Sequence, residues 1–366
     1  MENGSRRILS IDALRGFDMI WIMGFGMFVK LAGRATGTDI GSTIADQMEH
    51  VRWDGLHWHD LIFPIFVFLA GASWPFSLDG QRAKGVPEWR IFLRLFKRFM
   101  LLFVLGLLVS GILRFDFQHL LYMSVLGRIA FAWFIAASTL FFLGPRKTVF
   151  AAAGLFAAYW LALRFIPPMI EPGCNPWVYS TNLVFIFEKW LMPGHYHQFG
   201  SEGIISALGG SPGCAYLGIF AGLILKRSDW SPAKKSEMLG YFSMGLAVAA
   251  ALASLVCPCV KMLWNPTFVL MSSAIAMALL SLFHWLIDVK GWTAWSFFFR
   301  VVGTNAITIY LLRCYIDFNF ASRRFLIGTL NMLPYHWVAP VTTAGAFILA
   351  WLMLLLFYKK KIFFKV

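Results

Sequence analysis

Charge is what this sequence has least of. Of its 366 residues only 14% are Asp, Glu, Lys or Arg, against 59% apolar, where a soluble domain carries about a quarter charged. That shortage excludes an ordinary soluble domain. It also excludes a nucleic-acid binder, which needs a solvated basic face, although the net charge is +14. Two signatures of soluble catalysis are missing too: there is no P-loop and no G-x-G-x-x-G behind a strand. Five cysteines form no metal-like spacing. Cys257-Pro258-Cys259 and Cys174 fall on one side of the membrane, so one disulfide is open to them, and packed thiols are the plainer expectation. No linker, low-complexity tract or internal repeat interrupts the chain, which reads as one membrane domain over 1–366.

What the chain does have is apolar runs long enough to cross about 30 Å of hydrocarbon. Ten lie near 9–31, 59–78, 92–112, 119–142, 149–166, 204–225, 238–258, 264–287, 297–316 and 337–358. The expected fold is therefore all-α, a polytopic membrane helix bundle of about ten transmembrane helices with the bilayer as its first partner. The first run follows Met1–Arg7 and is too long for a signal peptide, so it reads as an uncleaved anchor. The segment 180–192 is amphipathic and suits the interface. Basic residues orient the bundle: 20 of the 32 Lys and Arg, among them Arg82–Arg98 and Lys359–Lys365, fall on one side. Both termini are then cytoplasmic, and the loops 32–58, 167–203 and 317–336 face outward.

One outer stretch is unusually polar. Residues Glu49 to Asp60 hold His50, Asp54, His57 and His59, then run straight into apolar Leu61–Gly71. A titratable group at the mouth of an apolar helix is costly there and points to function. His50 can act as base, nucleophile or proton shuttle. A lone loop histidine is more often merely solvated, but Glu49, Asp54 and Asp60 weaken that explanation. Asp60 can cap the helix it opens or orient a histidine, and the two roles are compatible. His57 and His59, like His195 and His197, alternate around an aromatic residue. Imidazoles suit zinc or copper, yet this spacing fits interfacial histidines better and no metal is expected.

On the inner side Asp12, Arg15 and Asp18 share a helix face at i, i+3 spacing, as a structural staple or as one wall of an anion site. Arg128 lies inside the fourth run, where structural pairing and phosphate contact are both open. Asn305 can hydrogen-bond a neighbouring helix, and Glu202 sits in a Gly-flanked turn. Two classes of function survive: a membrane-embedded enzyme, and a multi-pass transporter of an anionic or sugar-related solute. The missing repeated halves disfavour the transporter.

Several motifs occur in a telling order. Ser10-Ile11-Asp12-Ala13-Leu14-Arg15-Gly16-Phe17 comes first, then His50-Val51-Arg52-Trp53-Asp54-Gly55-Leu56 and Asp60-Leu61-Ile62-Phe63-Pro64. Val125-Leu126-Gly127-Arg128, Ser201-Glu202-Gly203, Leu263-Trp264-Asn265-Pro266 and Gly303-Thr304-Asn305-Ala306 follow. Together they resemble the transmembrane acetyltransferase family of heparan-α-glucosaminide N-acetyltransferase and its bacterial relatives. The resemblance implies transfer of acetyl from cytosolic acetyl-CoA to the amino group of a glucosamine-type sugar, as in heparan sulfate. That transfer would take place across a bacterial inner membrane, with the acceptor on the periplasmic or lumenal side. His50 falls on the family's active-site histidine, as base or transient acetyl carrier, and Asp60 on its aspartate. Asp39, Asp46 or Gln47 stands where the family has an asparagine. Arg15, Arg128 and Asn305 are then the candidates for acetyl-CoA, and Trp53, Asp54 and Glu202 for the amino-sugar acceptor. A homodimer is compatible with this picture.

Overall fold

The computed structural model describes residues 8–117, 119–191 and 203–363. Among them every regular element is a helix, and the one strand-like pairing is a bridge between Asp54 and Val260. α1 (Leu9–Ile20) passes through a π-helical turn (Trp21–Phe25) into α2 (Gly26–Ala35), and α3 (Asp39–Asp46) follows. Next come α4 (Trp58–Ala83), α5 (Glu88–Val109), α6 (Val125–Ile170), α7 (Leu183–Leu191), α8 (Ile204–Gly209), α9 (Ser211–Lys226) and α10 (Pro232–Ser254). α11 (Pro266–His284) ends in a second π-turn (Trp285–Val289), followed by α12 (Ser296–Gly303), α13 (Ala306–Tyr315), α14 (Phe318–Leu330) and α15 (Tyr335–Lys359).

Seven spans among the described residues are long and apolar enough to cross a membrane, or eight if α12 and α13, bent by 67°, count as one broken span. The sequence predicts ten, and two features account for the difference. α5 covers the third apolar run but carries Arg90, Arg94, Lys97 and Arg98 in its first half. α6 joins the fourth and fifth runs in one helix of 46 residues. At 1.5 Å per residue it would be about 69 Å long if straight, roughly twice the hydrocarbon thickness. Its backbone breaks at Gly144, φ 72°, just before Pro145, where the loop between the two runs is expected. The segment read as interfacial forms α7, which buries Leu183, Val184 and Glu188 and exposes Trp190. All five cysteines are free thiols, so no disulfide joins Cys174 to Cys257 or Cys259.

Contacts divide the chain into two compact units that alternate along the sequence. One holds Trp53–Gly55 and Phe63–Ser281, the other 8–52, Leu56–Ile62 and 282–363. In lipid, apolar side chains gain little by leaving their surroundings, so helices associate where small residues let backbones approach. The first unit does this between α4 and α9. A Cβ on Gly71 would run into the Ala215 carbonyl, and one on Gly218 into that of Phe68. α5 and α6 interlock through aromatic rings, with Phe99 4.9 Å from Phe131 and 4.6 Å from Phe134.

The second unit repeats the device between α1 and α12, where Gly16 lies against the Phe299 carbonyl and Gly303 against that of Asp12. Beside this contact the ring of Phe17 meets Phe283, Phe299, Trp21 and Trp58. α14 is tied to α15 by Ser322, which donates to the Thr342 carbonyl at 2.7 Å. Leu14 and Ala13 are fully buried. α1 and α2 thus form a post through this unit, interrupted at Gly24 (φ 135°), with polar groups gathered at both ends.

Candidate active site

At one end of that post lies the start of α4. A helix N-terminus leaves four N–H groups without intrahelical partners, and each of the first ones is met here. Gln47 supplies two acceptors: its side-chain oxygen takes the Trp58 N–H at 3.2 Å and its carbonyl the His59 N–H at 3.0 Å. Asp60 reaches back to the N–H of His57 at 3.1 Å, as the acidic member of a capping box does. The same carboxylate oxygen accepts the Val51 N–H at 3.2 Å. Its other oxygen receives Nδ1 of His50 at 2.8 Å.

The two expectations for Asp60 are therefore met by different oxygens of one side chain: Oδ2 caps and Oδ1 holds the imidazole. Asp60 is 1% exposed and the His50 side chain 53%, so the carboxylate is sequestered while the ring faces outward. Because a carboxylate only accepts, His50 must carry its proton on Nδ1, which makes Nε2 the basic nitrogen. A base oriented by a buried acid is the arrangement acyl-transfer chemistry needs.

Two neighbours of this pair carry little signal in the sequence. His59, read as interfacial, lies with its ring centroid 4.6 Å from that of His50. Gln47 is one of three substitutes for the family's asparagine, and it is the residue that caps α4. His57 donates Nδ1–H to the Glu49 carbonyl at 3.1 Å. From α2, Lys30 pairs with the Glu49 carboxylate at 3.0 Å, and Arg34 pairs with it as well. The hydrogen bond and charge of Lys30 hold the Glu49 carboxyl below its ordinary range, with Arg34 adding to the effect. A depressed folded-state pKa contributes stability that is present at neutral pH and lost as pH falls through it. The melting temperature of Glu49→Gln should therefore sit slightly below wild type at pH 7, and a thermal scan should show that gap closing below about pH 4.

At the other end of the post, a cavity of about 280 Å³ is lined by Leu9, Asp12, Arg300, Thr304, Tyr358, Lys361 and Phe363. Arg15 binds Asp12 at 3.2 Å, and Asn305, beside Thr304, donates to the Ile362 carbonyl at 3.2 Å. Two of the three residues expected on the cofactor side, Arg15 and Asn305, thus neighbour residues that line this cavity. Arg300 and Lys361 bring two positive charges. Nε of Arg300 and Oδ1 of Asn305 are buried without a hydrogen-bond partner among the described residues. An orphaned guanidinium N–H in a polar cavity is costly unless an acceptor enters. Asp12 and Lys30 are 18 residues apart along α1–α2, with the break at Gly24 between them, so the cavity and the His50 hinge lie toward opposite ends of the post.

The remaining expected residues are placed elsewhere. Arg128 belongs to the other compact unit, in the first turn of α6, where its Nε donates to the Met123 carbonyl at 3.2 Å and its guanidinium lies against Gly203. The whole of α5 lies in the chain between that turn and the basic connection around Arg82, and the cavity lined by Arg300 and Lys361 does not include Arg128. Trp53 donates Nε1–H to the Trp177 carbonyl at 2.7 Å and packs on Tyr179. Asp54 accepts the Cys259 N–H at 2.8 Å. Burial, with the Asp54 charge adding to it, pushes the Cys257 thiol up to about 11. Trp53 and Asp54 thus anchor their loop, Asp54 on the 257–260 segment. Glu202, His195 and His197 lie outside the described residues.

A family profile described as "Domain of unknown function (DUF5009)" matches residues 7–113, which include α1–α5 and the His50–Asp60 hinge. The chain is 23% identical over 427 residues to heparan-alpha-glucosaminide N-acetyltransferase of Mus musculus, an alignment covering all of this chain and 61% of the relative. It is 24% identical over 425 residues to the Homo sapiens protein of the same name, covering 98% of this chain and 60% of the relative. The chain is thus a distant relative of these acetyltransferases and spans about three-fifths of their length.

Proposed function

We propose that this distant relative of heparan-alpha-glucosaminide N-acetyltransferase moves acetyl from acetyl-CoA on the basic side of the membrane to the amino group of a glucosamine-type sugar. The observation that carries the reading is the layout of one compact unit: a cation-lined cavity at one end of the α1–α2 post and an acid-oriented imidazole at the other. The distribution of Lys and Arg supports a reading in which the cavity faces the cytoplasm and His50 the periplasm or lumen.

In this reading Arg300 and Lys361 meet the phosphates of the donor, with Tyr358 and Phe363 offering faces for its base. Arg15, held by Asp12, completes the rim. The acceptor arrives at the His50 hinge as an ammonium. Nε2 of His50 takes one proton from it, and the resulting amine attacks the thioester carbonyl. Asp60 stabilises the imidazolium that forms and keeps Nε2 aimed at the acceptor.

The test is acetyl transfer by purified protein in liposomes. Labelled acetyl-CoA supplied on the cavity side should yield N-acetylated amino sugar, with thiol release that depends on the acceptor. Thiol release that ignores the amino sugar, or none at all, sinks the transferase reading. Arg300→Gln should raise KM for acetyl-CoA about 10-fold, the value of one charge-assisted hydrogen bond. Its kcat should stay near wild type, because the cavity is remote from the chemistry, and steady-state kinetics reads both constants.

A further inference from the structure

Acetylating an amine that arrives as an ammonium requires two protons to leave one nitrogen. The first must go before attack, since an ammonium has no lone pair. The second goes as the tetrahedral adduct collapses to the amide, and the departing thiolate needs a proton at that moment. A single imidazole that has just taken the first proton cannot accept the second.

The site holds a second imidazole. His59 occupies the first turn of α4, its N–H fixed by the Gln47 carbonyl at 3.0 Å, next in sequence to the Asp60 that fixes His50. Its ring centroid is 4.6 Å from that of His50, with the planes at 46°. One helical turn therefore sets the position of both rings. The charged groups around the pair are Asp60 on the same turn, Glu49 and His57 from the hinge, and Lys30 and Arg34 of α2 on the far side of Glu49. Asp60 contacts His50 directly, so of the two rings it is His50 that has a counter-charge at hand when it takes a proton, and two imidazoliums so close would repel.

We propose that His59 is the second proton-transfer group of this site, taking the second proton from the nitrogen being acetylated. This rests on the acetyltransferase reading above. The sequence of bonds is balanced. His50 takes a proton from the ammonium, and the amine nitrogen bonds to the acetyl carbon. The carbon–sulfur bond then breaks with its electron pair going to sulfur. The thiolate takes the proton that His50 carries, and His59 takes the second nitrogen proton. The products are amide, free thiol and one proton, which His59 releases to the outer side.

The experiment compares two donors. Acetyl-CoA carries an alkyl thiolate that is expelled only as the adduct nitrogen gives up its proton. The acetyl thioester of p-nitrothiophenol carries a stabilised thiolate that leaves without that help. His59→Phe keeps a ring against His50 without nitrogens, and His59→Gln provides a second variant should the first not fold; melting temperatures show which are folded. With acetyl-CoA the variants should lose roughly 100-fold in kcat/KM, and with the activated thioester about threefold or less. Equal losses with both donors, or no loss with either, overturn the role of His59 while leaving the acetyltransferase reading intact. A wild-type protein that transfers acetyl from neither donor overturns both.

Discussion

His50→Gln lowers acetyl transfer by roughly 10²- to 10⁴-fold, the range contributed by a positioned general base, with little change in melting temperature. Glutamine is the sharper probe because its amide N–H can still reach toward Asp60, so the buried carboxylate keeps a donor where His50 Nδ1 stood at 2.8 Å. His50→Ala removes that donor as well, which adds a stability cost of about 1–3 kcal/mol for the abandoned acceptor. Both variants should retain the KM for acetyl-CoA, since the cation-lined cavity lies at the far end of the α1–α2 post. The same residue also serves to separate two chemical routes. If His50 acts as base, rapid quench of wild type with labelled acetyl-CoA and no acceptor leaves no acetyl on the protein. An acetyl group appearing on His50 at least as fast as turnover would replace the base with a nucleophile. A His50→Gln protein that transfers acetyl at near wild-type rates removes this residue from the chemistry altogether.

The helices are legible in the sequence because their cause is local: each of the ten apolar runs falls largely on helix in the structure. The disagreements arise where composition and geometry part. α5 is an apolar run with four basic residues in its first half, and α6 is two runs joined through Gly144. At the site, His50 and Asp60 are legible because titratable groups stand out before an apolar helix. Their pairing is suggested by proximity in the chain, but its division between Oδ1 and Oδ2 depends on how α4 is capped. Gln47 is weakly marked because an uncharged polar residue in a loop is ordinary; only the unsatisfied N–H groups of Trp58 and His59 reveal its task. His59 is weakly marked for a related reason. Sequence alternation separates it from His50 by nine positions, while the hinge folds the two rings together. Arg128 is grouped with the cofactor residues on its chemistry and on the Val125–Arg128 resemblance; its guanidinium lies against Gly203. Trp53 and Asp54 illustrate the limit from the other side: residues inside a functional motif hold its loop in place, Asp54 through the Cys259 N–H. Nothing short of long-range contacts could show that.

Asp60→Asn separates the two tasks of the carboxylate, and its expected effect on rate is the largest that leaves the fold in place. Asparagine retains one side-chain oxygen, enough to accept the N–H groups of Val51 and His57 that Oδ2 now holds at 3.2 and 3.1 Å. The cap survives, so the stability loss should stay within about 1 kcal/mol. Toward His50, however, an NH₂ group replaces Oδ1. Two donors cannot face each other, so His50 must shift its proton to Nε2 and accept the amide through Nδ1. The basic nitrogen is then turned inward against the substituted amide and the outward one carries hydrogen, which is the wrong tautomer for taking a proton from an amine. In the serine-protease triad the equivalent exchange costs about 10⁴-fold in kcat, and a loss of about 10³- to 10⁴-fold is expected here on the same physical ground. Asp60→Ala, by contrast, strips both functions and should lower stability by about 1–3 kcal/mol for each backbone donor it leaves unmet. Measuring kcat and melting temperature for the two variants therefore gives a two-way reading. An Asp60→Asn protein that melts like wild type and has lost transfer makes the orienting role of Asp60 the one that matters for rate. An Asp60→Asn protein that keeps more than about a tenth of kcat, less than about 1.4 kcal/mol of barrier, reduces Asp60 to a helix cap. His50 would then have to find its orientation elsewhere.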